Sequence, residues 1–394
     1  MISATRPAIG RLILSLSLLW LAGAALRLTI LAAAPLLPLI HRDLALSETA
    51  IGTLGTLPSL LFSFAAVPGS LLVARFGARA TVIVGLLLTA LGSAARGAAP
   101  DLALLYLATI VMGGGIAIMQ PAMSPLVRLW LPDRIGFATA FYTNGLLVSE
   151  IVAVALTLPY VLPLAGDSWR IALALWSLPV LATALLFLAW APRAEAKPAA
   201  LRPIRWWPNW RSPLIWRLGV MLGGVNTIYW SANAFLPDYL TEIGRPDLIG
   251  AALSALNGGQ LPASIIMLFL AGRMVRSHAA YGAMGLVLLV STAGILLMPD
   301  LAIVWWSAIL GGVNAAVLIL MLALPPLLSE PDDTHRVAAA MFTISYPCSV
   351  VLPILGGFAW DVTGSPAMAF APAGLGALGI FVLSRGLKFA DAPE

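Results

Sequence analysis

Long apolar runs alternate along the chain with short stretches of glycine, proline and charge. Twelve such runs can be marked: 12–40, 50–73, 80–99, 102–127, 136–163, 170–191, 213–238, 248–272, 279–298, 300–328, 337–359 and 366–387. Each approaches or exceeds the ~20 residues that a helix rising 1.5 Å per residue needs to cross a bilayer. The separators read as turns, among them Arg75 to Arg79, Pro132 to Arg134, Gly166 to Ser168 and Pro331 to Asp333. The pattern predicts an all-α membrane protein with twelve transmembrane helices. The widest gap, 192–212, is rich in Pro, Arg and Trp and divides the runs six and six. An N-terminal six-helix bundle over 1–191, a cytoplasmic central loop over 192–212 and a C-terminal six-helix bundle over 213–394 are expected.

Composition agrees. The 394 residues are 60% hydrophobic and 10% charged, against about 25% charged in soluble domains. The net charge of +5 does not point to nucleic acid, because the basic residues stand at the ends of apolar runs and form no patch. The single cysteine, Cys348, excludes an internal disulfide and a cysteine-rich metal site. The first run is too long for a signal peptide and shows no cleavage site, so it is expected to remain as helix 1. With the N-terminus placed in the cytoplasm, only Arg42, Arg96, Arg170 and Arg245 of the 22 Lys and Arg fall in outer segments. The positive-inside bias then puts both termini inside, in a multi-pass protein of the cytoplasmic membrane. Trp206, Trp207 and Trp210 suit a cytoplasmic interfacial helix.

The halves resemble each other at an offset of about 200 residues. Ala140 to Thr143 matches Ala340 to Thr343, Met112 to Gly115 matches Leu310 to Gly312, and Pro125-Leu126 matches Pro326-Leu327. Co-linear similarity of this kind marks parallel repeats, whose substrate site is expected between them near the bilayer midplane.

Two charges interrupt the apolar runs of the first half. Arg27 lies about 15 residues into helix 1 and Glu150 about 14 residues into helix 5, which places both at a similar depth of roughly 21–23 Å. A charge there costs at least ~2.5–3.5 kcal/mol and persists when it faces protein or water. Arg27 is a candidate for binding an anion, and Glu150 for pairing with it or carrying a coupling proton. A fixed structural ion pair is the alternative. In the second half, Asn226, Tyr229, Trp230 and Asn233 recur at i, i+3, i+4 and i+7, one helix face. Rings with O–H and N–H donors on that face can hold a small flat or anionic ligand. Tyr142, Asn144, Asn257, Gln260, Asn314 and Tyr346 are further substrate-binding candidates, each of which can equally bond a neighbouring helix. The glycine groups at 113–115, 258–259, 311–312 and 356–357 lie inside apolar helices and serve packing, not phosphate binding. No nucleophile–base pair, metal cluster or cofactor motif is visible, so neither enzymatic activity nor a cofactor is expected.

Twelve helices in two repeats, a basic central loop and a positive segment between helices 2 and 3 resemble the major facilitator superfamily (MFS). Within it, several features in order are similar to the cyanate/2-nitroimidazole transporter-like (CynX/NimT) branch. They are Leu26-Arg27 followed by Ala34 to Pro38, Pro121 to Pro125 leading into Arg128 and Pro132, and Phe141 to Thr143. Ser168 to Arg170, Tyr229 with Leu236-Pro237, and Trp360-Asp361 with Gly364 continue the series. The family's gating motif is matched at Arg75, Gly77 and Arg79, but Ala74 stands where it carries Asp. Glu150 also departs from the branch, where a small or apolar residue is expected. The resemblance implies alternating-access transport of a small anion or small polar heterocycle, and the departure at Glu150 adds the expectation of proton coupling. The expected partners are that substrate, the lipid bilayer and protons, in a monomer with no nucleic acid. A multidrug exporter of the same fold and a non-transporting membrane receptor are the rival classes.

Overall fold

The structure is a computed structural model that describes residues 9–44, 46, 48–192, 205–298, 300–387 and 389. Among these every regular element is helical. Most of the central loop, 193–204, lies outside the described residues. Twelve helices follow in order: α1 Ile9–Leu44, then α2 and α3 within Glu48–Gly97, α4 Leu102–Trp130, α5 Pro132–Leu164 and α6 Trp169–Trp190. The second set is α7 Pro213–Glu242, α8 Pro246–Met274, α9 His278–Leu297, α10 Ala302–Leu328, α11 Pro331–Thr363 and α12 Pro366–Ser384.

Among the described residues, ten helical stretches are long and apolar enough to cross a membrane. That number differs from twelve for two physical reasons. Helices α2 and α3 run on from one another with a single non-helical residue, Gly77 at φ 82° and ψ 162°. Nothing lies within 4 Å of where its Cβ would stand, so the left-handed backbone, and not crowding, calls for glycine there. Helix α7 falls short in hydropathy because Asn226, Tyr229, Trp230 and Asn233 dilute its apolar run.

Residues 205–212 do not form the interfacial helix expected of the tryptophan cluster. Pro208 removes a backbone donor inside that stretch. Its carbonyls are taken by side chains instead: Arg336 Nε donates to Trp207 O (2.8 Å) and Trp216 Nε1 to Trp210 O (2.8 Å). Trp207 and Trp210 still meet edge to face at 6.4 Å.

The chain forms two compact units, one of 1–133 with 141–206 and one of 134–140 with 207–394. Inside the first, α3 packs on α4 through small residues. A Cβ on Gly115 would lie 2.6 Å from the Gly85 carbonyl oxygen and 2.7 Å from the Thr89 nitrogen. At the C-terminal end of α1, Asp43 accepts from Trp169 Nε1 (3.1 Å) and pairs with Arg170, which ties α1 to the start of α6. Inside the second unit α10 is the central helix, with 78% of its apolar window buried. It meets α8 so closely that a Cβ on Gly311 would lie 1.8 Å from the Leu256 carbonyl oxygen.

Neighbouring glycines should therefore respond differently to the same added methyl. Gly115→Ala is expected to lower stability by about 1–3 kcal/mol through overpacking. Gly114→Ala, with nothing within 4 Å of its Cβ position, should stay within about 0.5 kcal/mol. Thermal unfolding of the two purified variants checks this, and equal losses would mean that α3 and α4 do not cross at Gly115.

Candidate functional site

Helix α1 is not continuous where it carries Arg27. The N–H groups of Leu26 and Arg27 turn to the carbonyls of Gly23 and Ala24, one residue short of α-helical spacing, at 3.1 and 3.2 Å. Arg27 itself takes φ −127° and ψ −26°. A short helix over Leu28–Leu31 follows, and a second interruption precedes the 3-10 turn Ala34–Leu36. Pro35 accounts for that second interruption, since it has no N–H to offer the carbonyl four residues back.

Arg27 and α5 are brought together by close backbone approach. A Cβ on Gly23 would lie 2.0 Å from the Tyr142 carbonyl oxygen, and one on Gly145 would lie 2.3 Å from the Trp20 carbonyl oxygen. Trp20 Nε1 donates to Asn144 Oδ1 (3.0 Å) in the same crossing. About one turn further along each helix the two charges meet, with Arg27 Nε 3.3 Å from Glu150 Oε1. The Arg27 guanidinium carbon stands 5.7 Å from the centre of the Phe62 ring. The two charged side chains keep 17% and 16% of their surface, so the pair is largely buried without being sealed. The site around the pair thus joins a cation and a carboxylate that protein does not fully cover.

The second unit contributes an amide cluster. Tyr229 OH donates to Asn257 Oδ1 (3.0 Å), and Asn257 Nδ2 donates to Asn233 Oδ1 (2.9 Å). Gln260 Nε2 reaches the same Asn257 oxygen at 3.4 Å, and Asn233 Nδ2 bonds back to the Tyr229 carbonyl at 2.9 Å. Helices α7 and α8 are thereby joined by side chains that both donate and accept. Trp230 meets Tyr229 edge to face at 5.6 Å but is 38% exposed and outside this network. Asn226 is half-buried and makes no side-chain hydrogen bond among the described residues. Asn314 is buried on α10, and its Oδ1 has no partner among the described residues. Tyr346 is buried and stacks on Phe342 at 6.0 Å. Tyr142 is buried too, with its carbonyl against Gly23.

Of the gating residues, Arg75 is exposed. Arg79 turns to the end of α6, where it donates to the carbonyls of Phe187 (3.0 Å), Leu188 (3.1 Å) and Ala191 (3.1 Å). The Phe187 carbonyl also accepts the Ala191 N–H (3.2 Å), and a cation at a helix C-terminus complements the carbonyls beyond it that no helical N–H reaches.

Sequence reasoning did not single out Phe62, Trp20 or the role of Arg96. The first two are ordinary apolar helix residues with no signal of their own. Arg96, counted with the outer segments, is buried in the last turn of α3. Its place inside an apolar run that extends beyond it was the available signal.

Twelve apolar helices in two units, with ionisable and amide side chains at membrane depth, define a multi-pass helical membrane transporter. The profile of the Major Facilitator Superfamily matches residues 19–353, and the chain belongs to that family, whose members are transporters and not enzymes. Two curated relatives from Escherichia coli (strain K12) span nearly all of it. The 2-nitroimidazole transporter is 30% identical over 95% of this chain and 96% of its own length. The cyanate transport protein CynX is 27% identical over 95% of this chain and 97% of its own. Among solved structures, the human organic anion transporter MFSD10 (TETRAN) shares the fold. Its TM-score is 0.76 at 15% identity, covering 96% of this chain and all (100%) of that one.

Removing one partner of a buried ion pair leaves the other uncompensated. Glu150→Leu alone is therefore expected to lower stability by about 3–5 kcal/mol, and adding Arg27→Met should recover most of the loss. Thermal unfolding of the single and double variants measures the recovery. A double variant no more stable than Glu150→Leu would show that neither charge answers the other.

Proposed function

We propose that the protein is a secondary active transporter of a small monovalent anion or small polar heterocycle. It lies in the cytoplasmic membrane, with both termini inside, and moves its cargo by alternating access. The observation that carries this reading is the Arg27–Glu150 pair at the interruption of α1, largely buried but not sealed by protein. A guanidinium already neutralised by a carboxylate can exchange that partner for an anionic cargo, and the freed carboxylate can then take a proton. Charge in the site is balanced in both states, so neither leaves an uncompensated ion at membrane depth.

The amide cluster of the second unit supports the heterocycle half of the reading. Asn233, Asn257, Gln260 and Tyr229 offer donors and acceptors together, and the unpartnered Asn314 oxygen is an acceptor that a ligand N–H would satisfy. Cyanate and 2-nitroimidazole, the compounds that the names of two relatives carry, are a small anion and a flat polar ring. The side chains of this site suit both.

Arg27→Ala is expected to abolish binding of cyanate, read by calorimetry or ligand-induced thermal stabilisation. Wild-type affinity in that variant would move the site away from α1. Glu150→Gln should remove the dependence of uptake on a pH gradient while leaving counterflow intact. Uptake by reconstituted vesicles that still follows the gradient would dismiss proton coupling through Glu150.

A further inference from the structure

Arg96 is a buried guanidinium that the ion pair does not use. It is 6% exposed, and its Nη1 lies 3.1 Å from the Thr29 carbonyl oxygen and 3.0 Å from Met112 Sδ. Neither contact is an anion, and among the described residues no carboxylate lies within ion-pair distance of Arg96. Its Nε and the Thr29 hydroxyl, both buried, have no hydrogen-bond partner among the described residues.

The contact to Thr29 has a local cause. In an unbroken helix the Thr29 carbonyl would accept from the Ala33 N–H, but that N–H turns to Ile30 O at 3.3 Å. Arg96 fills the vacated place. A neutral donor could do the same without bringing an uncompensated charge to membrane depth, where a lone ion is costly.

The charge has a consequence for the neighbouring site. Arg27 and Glu150 cancel, so among these three buried ionisable groups Arg96 leaves a net positive charge. Thr29 is two residues from Arg27, within ~7.6 Å along the backbone at 3.8 Å per step. The Arg96 charge therefore acts on the Arg27 site from on the order of 10–15 Å. At that range and an effective dielectric constant of ~20, one unit charge changes the affinity for a monovalent anion roughly six- to sixteenfold.

We propose that Arg96 is a specificity-determining residue: its uncompensated charge, held beside the break in α1 by the Thr29 carbonyl, makes the Arg27 site select a monovalent anion over a neutral cargo. It does not touch the cargo. The inference rests on the assignment of Arg27 as the anion-binding residue. A bound anion gains the Coulomb attraction of the Arg96 charge, whereas a neutral cargo does not.

Two substitutions separate charge from capping. Arg96→Gln keeps a donor for the Thr29 carbonyl and loses the charge, while Arg96→Lys keeps the charge. Binding of cyanate and of 1-methyl-2-nitroimidazole, a flat ring that cannot ionise, is measured on purified full-length protein. Arg96→Gln is expected to weaken cyanate roughly six- to sixteenfold and to leave the neutral ring within about twofold, with Arg96→Lys close to wild type for both. Unchanged cyanate affinity in Arg96→Gln, equal losses for both probes, or Arg96→Lys losing cyanate as Arg96→Gln does would each overturn the proposal. If the neutral ring does not bind wild type, the Gln–Lys comparison on cyanate decides. If Arg96→Gln does not fold, retention or loss of cyanate by Arg96→Lys decides. Cyanate binding that survives Arg27→Ala overturns the site assignment itself, an outcome distinct from any change confined to the Arg96 variants. Absence of cyanate binding in wild type overturns both.

Discussion

A guanidinium and a carboxylate 3.3 Å apart inside a bundle of apolar helices constrain everything around them. Neither charge is tolerable alone at that depth, so the backbones that carry them must be held in fixed relation. The first unit meets this demand by removing side chains where α1 crosses α5. Gly23 seats the Tyr142 carbonyl and Gly145 seats the Trp20 carbonyl, and the Trp20–Asn144 hydrogen bond fixes the register. The interruption of α1 then takes the Arg27 backbone out of the regular helix, which sets where its side chain emerges. Close packing, a broken helix and an ion pair are thus one device.

The two units carry different chemistry on similar frames. Positions matching Arg27 and Glu150 at the repeat offset are Thr227 and Val350, so the second unit has no such pair. Thr227 there bonds back to the Gly223 carbonyl (2.8 Å), and polarity is instead spread over Tyr229, Asn233, Asn257 and Gln260. Amides bonded to one another need no countercharge, and their spare donors and acceptors are not fixed in sign.

Much of this was legible before any coordinates. Helix number follows from apolar run length, and equal depth along α1 and α5 was enough to pair Arg27 with Glu150. The i, i+3, i+4, i+7 spacing found the α7 face but not its membership. Trp230 stands off the network because adjacent helix positions point about 100° apart, so Tyr229 and Trp230 cannot both face Asn257. Asn257 and Gln260 joined Tyr229 through an interhelical contact that no spacing within one helix encodes. The interruption of α1 at Arg27 was hidden as well, because no proline follows it at the distance that would break the helix there. Arg96 was counted with the outer segments although its apolar run extends to 99, and its burial in the last turn of α3 comes from packing that the run does not encode.

Arg79 shows how a departure from a family pattern can be absorbed. Ala74 supplies no carboxylate where the family's gating motif carries one. The guanidinium instead takes three carbonyls at the end of α6, a helix of its own unit. Charge-assisted bonds of this kind contribute about 1.5–3 kcal/mol each, and a helix C-terminus adds a favourable field. The loss of the acid therefore does not leave Arg79 loose. It fixes the start of α3 to α6, and the left-handed Gly77 just before it becomes the point at which the chain turns from α2 into that anchored helix. Motion at the C-terminal end of α2 would then have to pass through Gly77, the residue there whose backbone lies outside the helical range.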